Sequence, residues 1–356
     1  MIYSILLAIL LISLVLLLVW QLLRWLPAGA DGLKPLPYVI ALLPIAPFCA
    51  GFGLIASIVS AIATRSQNGF YKSYVFLCVA YIVLFVISLK SYSPYFSRRL
   101  LRIKQGKSPE KSPEKSLEIR VMTLNCRYGR ANASQIIKLA KTHKIDTILL
   151  QEVSKKLVKS LEKLGIKRDF AHVQLGNTNN HENGGFNAIY TRLSNVKSFG
   201  KSIKIDAANV PIVTAVSGDS RAENLLITFA SAHPKSPMRG CAAWSSGIMA
   251  LAKIGENHNK SNVKDIKKVT IIGGDLNSTP DHPSFRALLK SGFLDASMQI
   301  GKRLKTWPTW QKWPNLALDH VLVKSSGCSA KATEQSTIRV DGSDHFALIV
   351  CVSIPL

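Results

Sequence analysis

Hydrophobic residues are distributed along the chain in two ways. Up to about residue 90 they run on almost without interruption, and beyond it they recur at the short periods of a soluble fold. Residues 2–20 (IYSILLAILLISLVLLLVW) carry no charge and, at about 1.5 Å per residue, nearly span a hydrocarbon core. Residues 37–63 are also uncharged and include Gly51 and Gly53, small residues that let helices approach closely. Residues 74–89 (YVFLCVAYIVLFVISL) are fewer, with Tyr71 and Tyr92 near their ends to sit at the interfaces. The pattern predicts three transmembrane helices, over about residues 2–26, 37–63 and 72–90. A signal peptide competes for the first, because Ala28-Gly29-Ala30 resembles a cleavage site. The lack of Lys or Arg ahead of the apolar run, and the run's length, weigh against it. Core helices of a soluble protein compete for all three, but none has a polar face.

Residues 107–118 read KSPE-KSPE-KSLE. Proline blocks a continuous helix and alternating charge keeps the segment solvated, which predicts an extended spacer. The organisation expected is a membrane region at 1–92, a basic juxtamembrane segment and linker at 93–116, and a domain at 117–356. In that domain 118–125 (EIRVMTLN) alternates as a strand, and 131–144 has helical spacing at Ile136, Ile137, Leu139 and Ala140. A buried strand follows at 146–153 (DTILLQEV) and an amphipathic helix at 154–164 (SKKLVKSLEKL). Apolar runs at 187–190, 225–232, 269–273, 320–323 and 346–352 predict further strands. Helices mixed with many short strands, and polar residues at the strand ends, predict an α/β sandwich whose loops converge on one site.

Charge changes the picture next. The chain carries 45 Lys and Arg against 21 Asp and Glu, a formal +24, of which +15 falls in the domain. Such a surplus attracts polyanions: nucleic acid, anionic lipid headgroups or phosphorylated small molecules. Excess lysine is also an ordinary solvated surface. Lys90, Arg98, Arg99, Arg102, Lys104 and Lys107 follow the third span and outweigh the loops between spans. By the positive-inside rule they predict a cytoplasmic domain. Cys126, Cys241, Cys328 and Cys351 show no metal-ligand spacing and are expected to be small buried hydrophobes rather than a disulfide framework.

The candidate chemistry stands at strand ends. Asn125 lies in TLNC, Glu152 in LLQEV, His233 in SAHP, Asp275 and Asn277 in GGDLNSTP, Asp319 and His320 in ALDHVLV, and Asp344 and His345 in GSDHFAL. Singly, each has an ordinary reading as a cap, a turn residue or an Asx turn. Together they matter, because acids and imidazoles just beyond hydrophobic strands are costly unless water, a metal or a phosphate satisfies them. In order and context these motifs resemble the endonuclease/exonuclease/phosphatase superfamily, which includes deoxyribonuclease I, exonuclease III, neutral sphingomyelinases and inositol phosphatases. The resemblance runs from about residue 118 to the C-terminus, with GGDLNSTP and GSDHFAL its most specific blocks. The layout of apolar segments plus domain looks like that of bacterial membrane members of the family.

The resemblance implies a four-layered α/β/β/α sandwich of the deoxyribonuclease I-like type and a Mg²⁺-dependent phosphoesterase, with Mn²⁺ as a substitute. Glu152 would be the principal metal ligand, with Asn125 ordering the metal site and Asp344 completing its network. Asp275 would orient or deprotonate the attacking water, and Asn277 would hydrogen-bond a phosphate oxygen. His233 would hold a nonbridging oxygen, and His345, steered by Asp319, would donate to the phosphate or leaving oxygen. His320 is expected to pack in the core or behind the site, and no role is assigned to Asn187, Tyr190 or Arg192. Arg239 is a candidate phosphate contact. Trp307, Trp310 and Trp313 interleave with Pro308, Lys312 and Pro314 before ALDHVLV. Such a loop, Trp310 included, suits base stacking, a lipid interface or a flap over the sandwich edge. Three readings follow: a nuclease or phosphodiesterase, a phospholipid or headgroup phosphoesterase held at the bilayer, and a non-catalytic interaction module of the same fold.

Overall fold

The computed structural model describes residues 2–96, 116–177, 185–198, 203, 205–206, 208–217, 225–258, 266–313 and 315–356. The expected spacer at 107–118 lies almost wholly outside these residues, and Arg98, Arg99, Arg102, Lys104 and Lys107 lie outside them altogether.

The N-terminal apolar stretches form helices α1 (Ile2–Leu22), α2 (Leu36–Ala41), α3 (Ala46–Ala63) and α4 (Asn68–Ser88). With their flanking turns they make three segments long and apolar enough to cross a membrane: Ile2–Trp25, Leu36–Ala63 and Gly69–Ser91. The expected second span is interrupted by a turn at Leu43–Ile45 where Pro44 lies, since proline cannot continue the hydrogen-bond ladder. The third begins earlier than the apolar run, because the helix continues through Lys72. Leu10, Ala50, Tyr74, Leu77 and Tyr81 form a common core. Gly53 lies against the Tyr81 ring where no Cβ would fit, while Gly51 meets Phe85 at ordinary contact distance.

Two six-stranded sheets build the rest. Counted along the chain, with β3 (His172–Leu175), β4 (Phe186–Thr191), β5 (Val196–Ser198), β6 (Ile212–Val216), β9 (Leu294–Asp295) and β11 (Lys331–Arg339) besides the six strands placed below, their orders are β11-β12-β1-β2-β4-β3 and β5-β6-β7-β8-β10-β9. In the first, β1 (Ser116–Asn125) is parallel to β2 (Thr147–Val153) and antiparallel to β12 (Phe346–Pro355). In the second, β7 (Leu225–Ser231) is parallel to β8 (Lys267–Asp275), which is antiparallel to β10 (Asp319–Ser326). Alternation along each strand feeds two cores. Ile119 and Val121 of β1 join Val269, Ile271, Val321 and Val323 in a core between the sheets. Met122 and Leu124 face helices α5 (Ala133–Thr142) and α6 (Lys155–Lys163) through Ile136, Leu157 and Leu161. Ile272 and Leu322 face a later helix pair through Trp244, Ile248, Phe285 and Leu288. The layers are therefore α/β/β/α. Each fully buried Leu or Ile contributes on the order of 2 kcal/mol.

Asn132 and Ser154 cap α5 and α6 by accepting the amides of Gln135 and Leu157, each at 3.1 Å, so both helices start later than their apolar patterns. A short helix α7 (Ile166–Asp169) follows, then α8 (Cys241–Ala250), α9 (Pro283–Lys290) and α10 (Ala296–Ile300). The six cysteines are free, and Cys126, Cys241 and Cys351 are buried.

The connection between α1 and α2 is seated on α8 and α9. Asp31 accepts from the Ser284 amide at 2.9 Å and from the hydroxyls of Ser284 and Ser245, and His282 Nε2 donates to the Pro37 carbonyl at 2.9 Å. Arg286 donates to the carbonyls of Arg24 and Asp281. Arg24 Nη2 reaches Ser91 Oγ at 3.1 Å, and Tyr92 donates to the Pro44 carbonyl at 2.8 Å, so one end of the helical bundle faces the sandwich.

Candidate active site

Strand register brings the polar ends together. Asn125 pairs with Gln151 across β1 and β2, Asp319 lies opposite Asp275 across β10 and β8, and Thr123 lies opposite Leu348 near the start of β12. The C-terminal ends of β1, β2, β7 and β8 and the N-terminal ends of β10 and β12 thus share one edge of the sandwich. The pair Gly273-Gly274 permits this. A Cβ on Gly273 would press on Leu149 of the other sheet, and one on Gly274 would collide with the Ala232 carbonyl.

At that edge Asn125 Nδ2 donates to Asp275 Oδ2 at 2.9 Å and to Glu152 Oε1 at 3.3 Å. His233 Nε2 donates to Glu152 Oε1 at 3.2 Å, and its Nδ1 to the Asp275 carbonyl at 3.0 Å. His345 Nδ1 donates to Asp319 Oδ2 at 2.8 Å, with its Nε2 3.6 Å from Asp275 Oδ2. Asp275 Oδ1 accepts the Asn277 amide at 3.0 Å. Glu152 and Asn277 have φ of 51° and 49°, left-handed values that cost about 1–3 kcal/mol in a side-chain-bearing residue. The strain at Glu152 accompanies a bulge in the β2–β4 pairing, where β4 is Phe186–Thr191. It turns the carboxylate out of the sheet.

The acids favour the charged form of both imidazoles. Burial would depress the His345 pKa from its ordinary 6.5, but Asp319 and Asp275 outweigh it and lift it to about 10. Burial likewise opposes the charged form of His233, yet Glu152 and Asp275 raise it. Burial would raise the Glu152 carboxyl, but the His233, Tyr128 and Asn125 hydrogen bonds hold it below its ordinary value.

Three carboxylates facing two imidazoles make a donor set suited to a hard divalent cation, which prefers oxygen ligands. The most compact group of ligand atoms, within 4.8 Å of one another, belongs to Asp275, Asp319 and His345. In that group His345 is engaged through Nδ1 with Asp319, and its Nε2 faces Asp275 Oδ2. Glu152 has 15% of its side chain exposed, against 3% for Asp275 and 0% for Asp319. It is the acid that opens to solvent.

Asn125, Glu152, His233, Asp275, Asn277, Asp319 and His345 are therefore gathered in one place. Asp344 instead pairs with Arg127 at 3.9 Å, and its carbonyl accepts the Thr309 amide. Arg239 meets the Tyr128 hydroxyl at 2.8 Å on the rim. Trp310, 62% exposed, stacks edge-on with Trp307, whose ring centroid is 6.5 Å from that of His345. His320 is buried against Phe285 and bonded to Asp295 and the Ser278 carbonyl, behind the site as expected. Asn187 donates to the Asn209 carbonyl, and Arg192 lies over the Phe170 ring. Tyr128 stands outside the motifs read from the sequence. Its amide donates to Glu152 Oε2 at 2.9 Å, and it shares left-handed φ with Arg127. The contiguous polar run after TLNC was the available signal.

Residues 122–345 match the model of the Endonuclease/Exonuclease/phosphatase family. The chain belongs to this family. Its members are generally phosphoesterases or nucleases and generally use a divalent metal. No curated protein matches the sequence. Among solved structures, one of zebrafish (D. rerio) TDP2, humanized by 14 mutations, is similar at 18% identity and a TM-score of 0.50, over 66% of this chain and 98% of that one. A family protein from Bacteroides thetaiotaomicron is similar at 16% identity and a TM-score of 0.49, over 68% and 97%. One from Beutenbergia cavernae is similar at 14% identity and 0.48, over 67% and 72%. At these identities the likeness is one of fold, and the fold is the deoxyribonuclease I-like sandwich.

Proposed function

We propose that this family member is a membrane-anchored, Mg²⁺-dependent phosphoesterase that hydrolyses phosphodiesters by in-line attack of water. The supporting observation is the convergence of Asn125, Glu152, His233, Asp275, Asp319 and His345 from six strand ends, where hydrogen bonds join the first four and a 3.6 Å approach of His345 to Asp275 links them to the Asp319–His345 pair. Glu152 and Asp275, braced by the Asn125 amide, would hold the cation, with Asp344 and Arg127 at its outer edge. A bound divalent ion supplies charge neutralisation on the phosphoryl oxygens. Asp275 takes the proton of the attacking water, whose oxygen bonds to phosphorus opposite the leaving group. The ester P–O bond breaks, and His345 gives its Nε2 proton to the departing oxygen while Asp319 keeps the imidazolium oriented. Asn277 holds a nonbridging oxygen, which carries the developing charge, while His233, whose two ring nitrogens are taken by Glu152 and the Asp275 carbonyl, braces those acids instead of holding an oxygen itself. Arg239 extends the positive rim toward substrate.

Three membrane passes at about residues 2–26, 37–63 and 69–91 place the first connection and the domain of residues 117–356 on one side. The +15 of that domain supports a polyanionic or phosphorylated substrate, nucleic acid or phospholipid headgroup. A purely non-catalytic module would have no use for strain at Glu152 and Asn277.

Detergent-extracted full chain with bis-p-nitrophenyl phosphate and Mg²⁺ tests the reading. Turnover is expected to fall about 10³-fold in Glu152→Ala and in His345→Ala. Equal turnover in wild type and both variants removes the enzyme reading.

A further inference from the structure

Two rims border the site, and both touch the membrane-directed helices. On one side, Trp307 lies beside His345, and further along the same loop Trp313 packs edge-on against Phe48, in the first turn of α3, at 5.8 Å between ring centroids. On the other side, Arg239 meets Tyr128, whose amide holds Glu152, and two residues later Cys241 Sγ lies 3.8 Å from the Tyr38 hydroxyl of α2. Tyr38 and Phe48 flank the break between α2 and α3, inside the 28-residue segment Leu36–Ala63. At about 1.5 Å per residue a helix of that length exceeds a hydrocarbon core of about 30 Å, so its first turns belong to the headgroup layer. The two walls of the site are therefore moored to the same stretch of interfacial chain.

Large apolar side chains stand exposed along this edge: Met238 at 85%, Trp310 at 62%, Trp313 at 60% and Phe48 at 58%. Met238 belongs to the Arg239 rim and the other three to the Trp rim; exposed apolar side chains on both rims suit an interaction surface, and Trp is favoured at the membrane–water boundary. Between the Trp313 loop and the helix break runs a cleft of about 200 Å³ lined by Pro44, Ile45, Phe48, Leu316 and Arg303. It is apolar along the helix and basic toward the domain.

We propose that the substrate is a phosphoester carried by a membrane lipid, delivered to the site from the plane of the bilayer. The rim of Met238, Trp310 and Trp313 enters the headgroup layer, the cleft takes the first acyl carbons, and Arg239 and Arg303 meet the anionic headgroup. Water adds across one P–O ester bond, giving an alcohol and a phosphate-bearing fragment, with the proton path already described. This deepens the phosphoesterase reading and rests on it. A nucleic acid reaching the same mouth would lie along the bilayer against exposed Trp and Met, and the experiment includes it as a competing outcome.

The full chain is reconstituted with Mg²⁺ into vesicles of phosphatidylethanolamine and phosphatidylglycerol, as wild type and as Met238→Ser/Trp313→Ser. Headgroup hydrolysis is expected to drop at least tenfold in the double variant, while turnover of soluble bis-p-nitrophenyl phosphate stays within twofold. A second readout needs no catalysis. Vesicles containing phosphatidylcholine with brominated acyl chains are expected to quench tryptophan emission more in wild type than in Trp313→Ser. Turnover of the soluble ester or of DNA with none of the lipid, or equal losses on lipid and soluble ester, overturns the inference and leaves the phosphoesterase reading standing. Quenching without turnover of any ester overturns that reading and leaves the rim's placement intact. Identical quenching in wild type and variant overturns the placement.

Discussion

Asp281, at the junction between the sandwich and the N-terminal helices, lies six positions beyond Asp275 of the strand-end cluster, and the two neighbourhoods bury polar groups differently. At the junction, Asp31 is fully buried and takes hydrogen bonds from Ser284 and Ser245. His282 accepts the Thr279 amide with Nδ1 and donates with Nε2, as a neutral ring must, and burial depresses its pKa. Among the described residues of that junction no non-glycine residue has positive φ. At the strand ends, His233 faces acceptors with both ring nitrogens, His345 is held charged, Glu152 opens to solvent, and Glu152 and Asn277 are strained. The junction is closed and its backbone unstrained, although it too buries charge, in the Arg24–Asp281 pair, and leaves Arg24 Nε and Nη1 and Asp281 Oδ2 without a hydrogen-bond partner among the described residues. The strand-end cluster keeps strain and an opening, the condition in which bound groups stabilise a site instead of merely filling it.

Substitution on each side separates them. The largest effect expected is the thousandfold fall in turnover for Glu152→Ala or His345→Ala, with little change in how the helices hold the domain. Asp31→Ala should do the reverse. It strands the Ser284 amide and removes the shared acceptor of the Ser284 and Ser245 hydroxyls, which are left with each other as acceptors, at a cost of about 2 kcal/mol. Urea titration of the detergent-solubilised chain, followed by tryptophan fluorescence, should show earlier release while the soluble ester is turned over near the wild-type rate. A collapse of turnover in Asp31→Ala would mean that the two clusters are one system.

The smallest effect expected concerns pH. His345 is raised from 6.5 to about 10, so the stability it contributes is complete below pH 6.5 and is lost as pH rises through about 10. Thermal unfolding of the chelator-treated chain should decline with pH across that window more steeply in wild type than in His345→Asn. Parallel curves would show that the imidazolium is not held as described.

Much of this contrast was legible in the sequence, but unevenly. GGDLNSTP and GSDHFAL carry their chemistry in side chains directly after apolar runs, and β8 and β12 follow those runs closely. Strand β11 (Lys331–Arg339) was not legible, because it is an edge strand whose half-buried KATEQSTIR lacks a clean period of two. Neither were the junction contacts, since Asp31 and Ser284 lie 253 residues apart and no local pattern announces a pairing across that distance. The position of Tyr128 depends on backbone conformation, which its side chain does not encode. The long apolar helices were the easiest elements, apart from the turn at Pro44.

The central claim is that Glu152 and Asp275, brought together from different sheets, hold one divalent-cation site. Titration of the metal-free full chain with Mn²⁺, followed by electron paramagnetic resonance, tests it without reference to any substrate. Saturable binding is predicted in wild type and in Asp31→Ala, weakened at least tenfold in Glu152→Gln. Undiminished binding in Glu152→Gln would contradict the account.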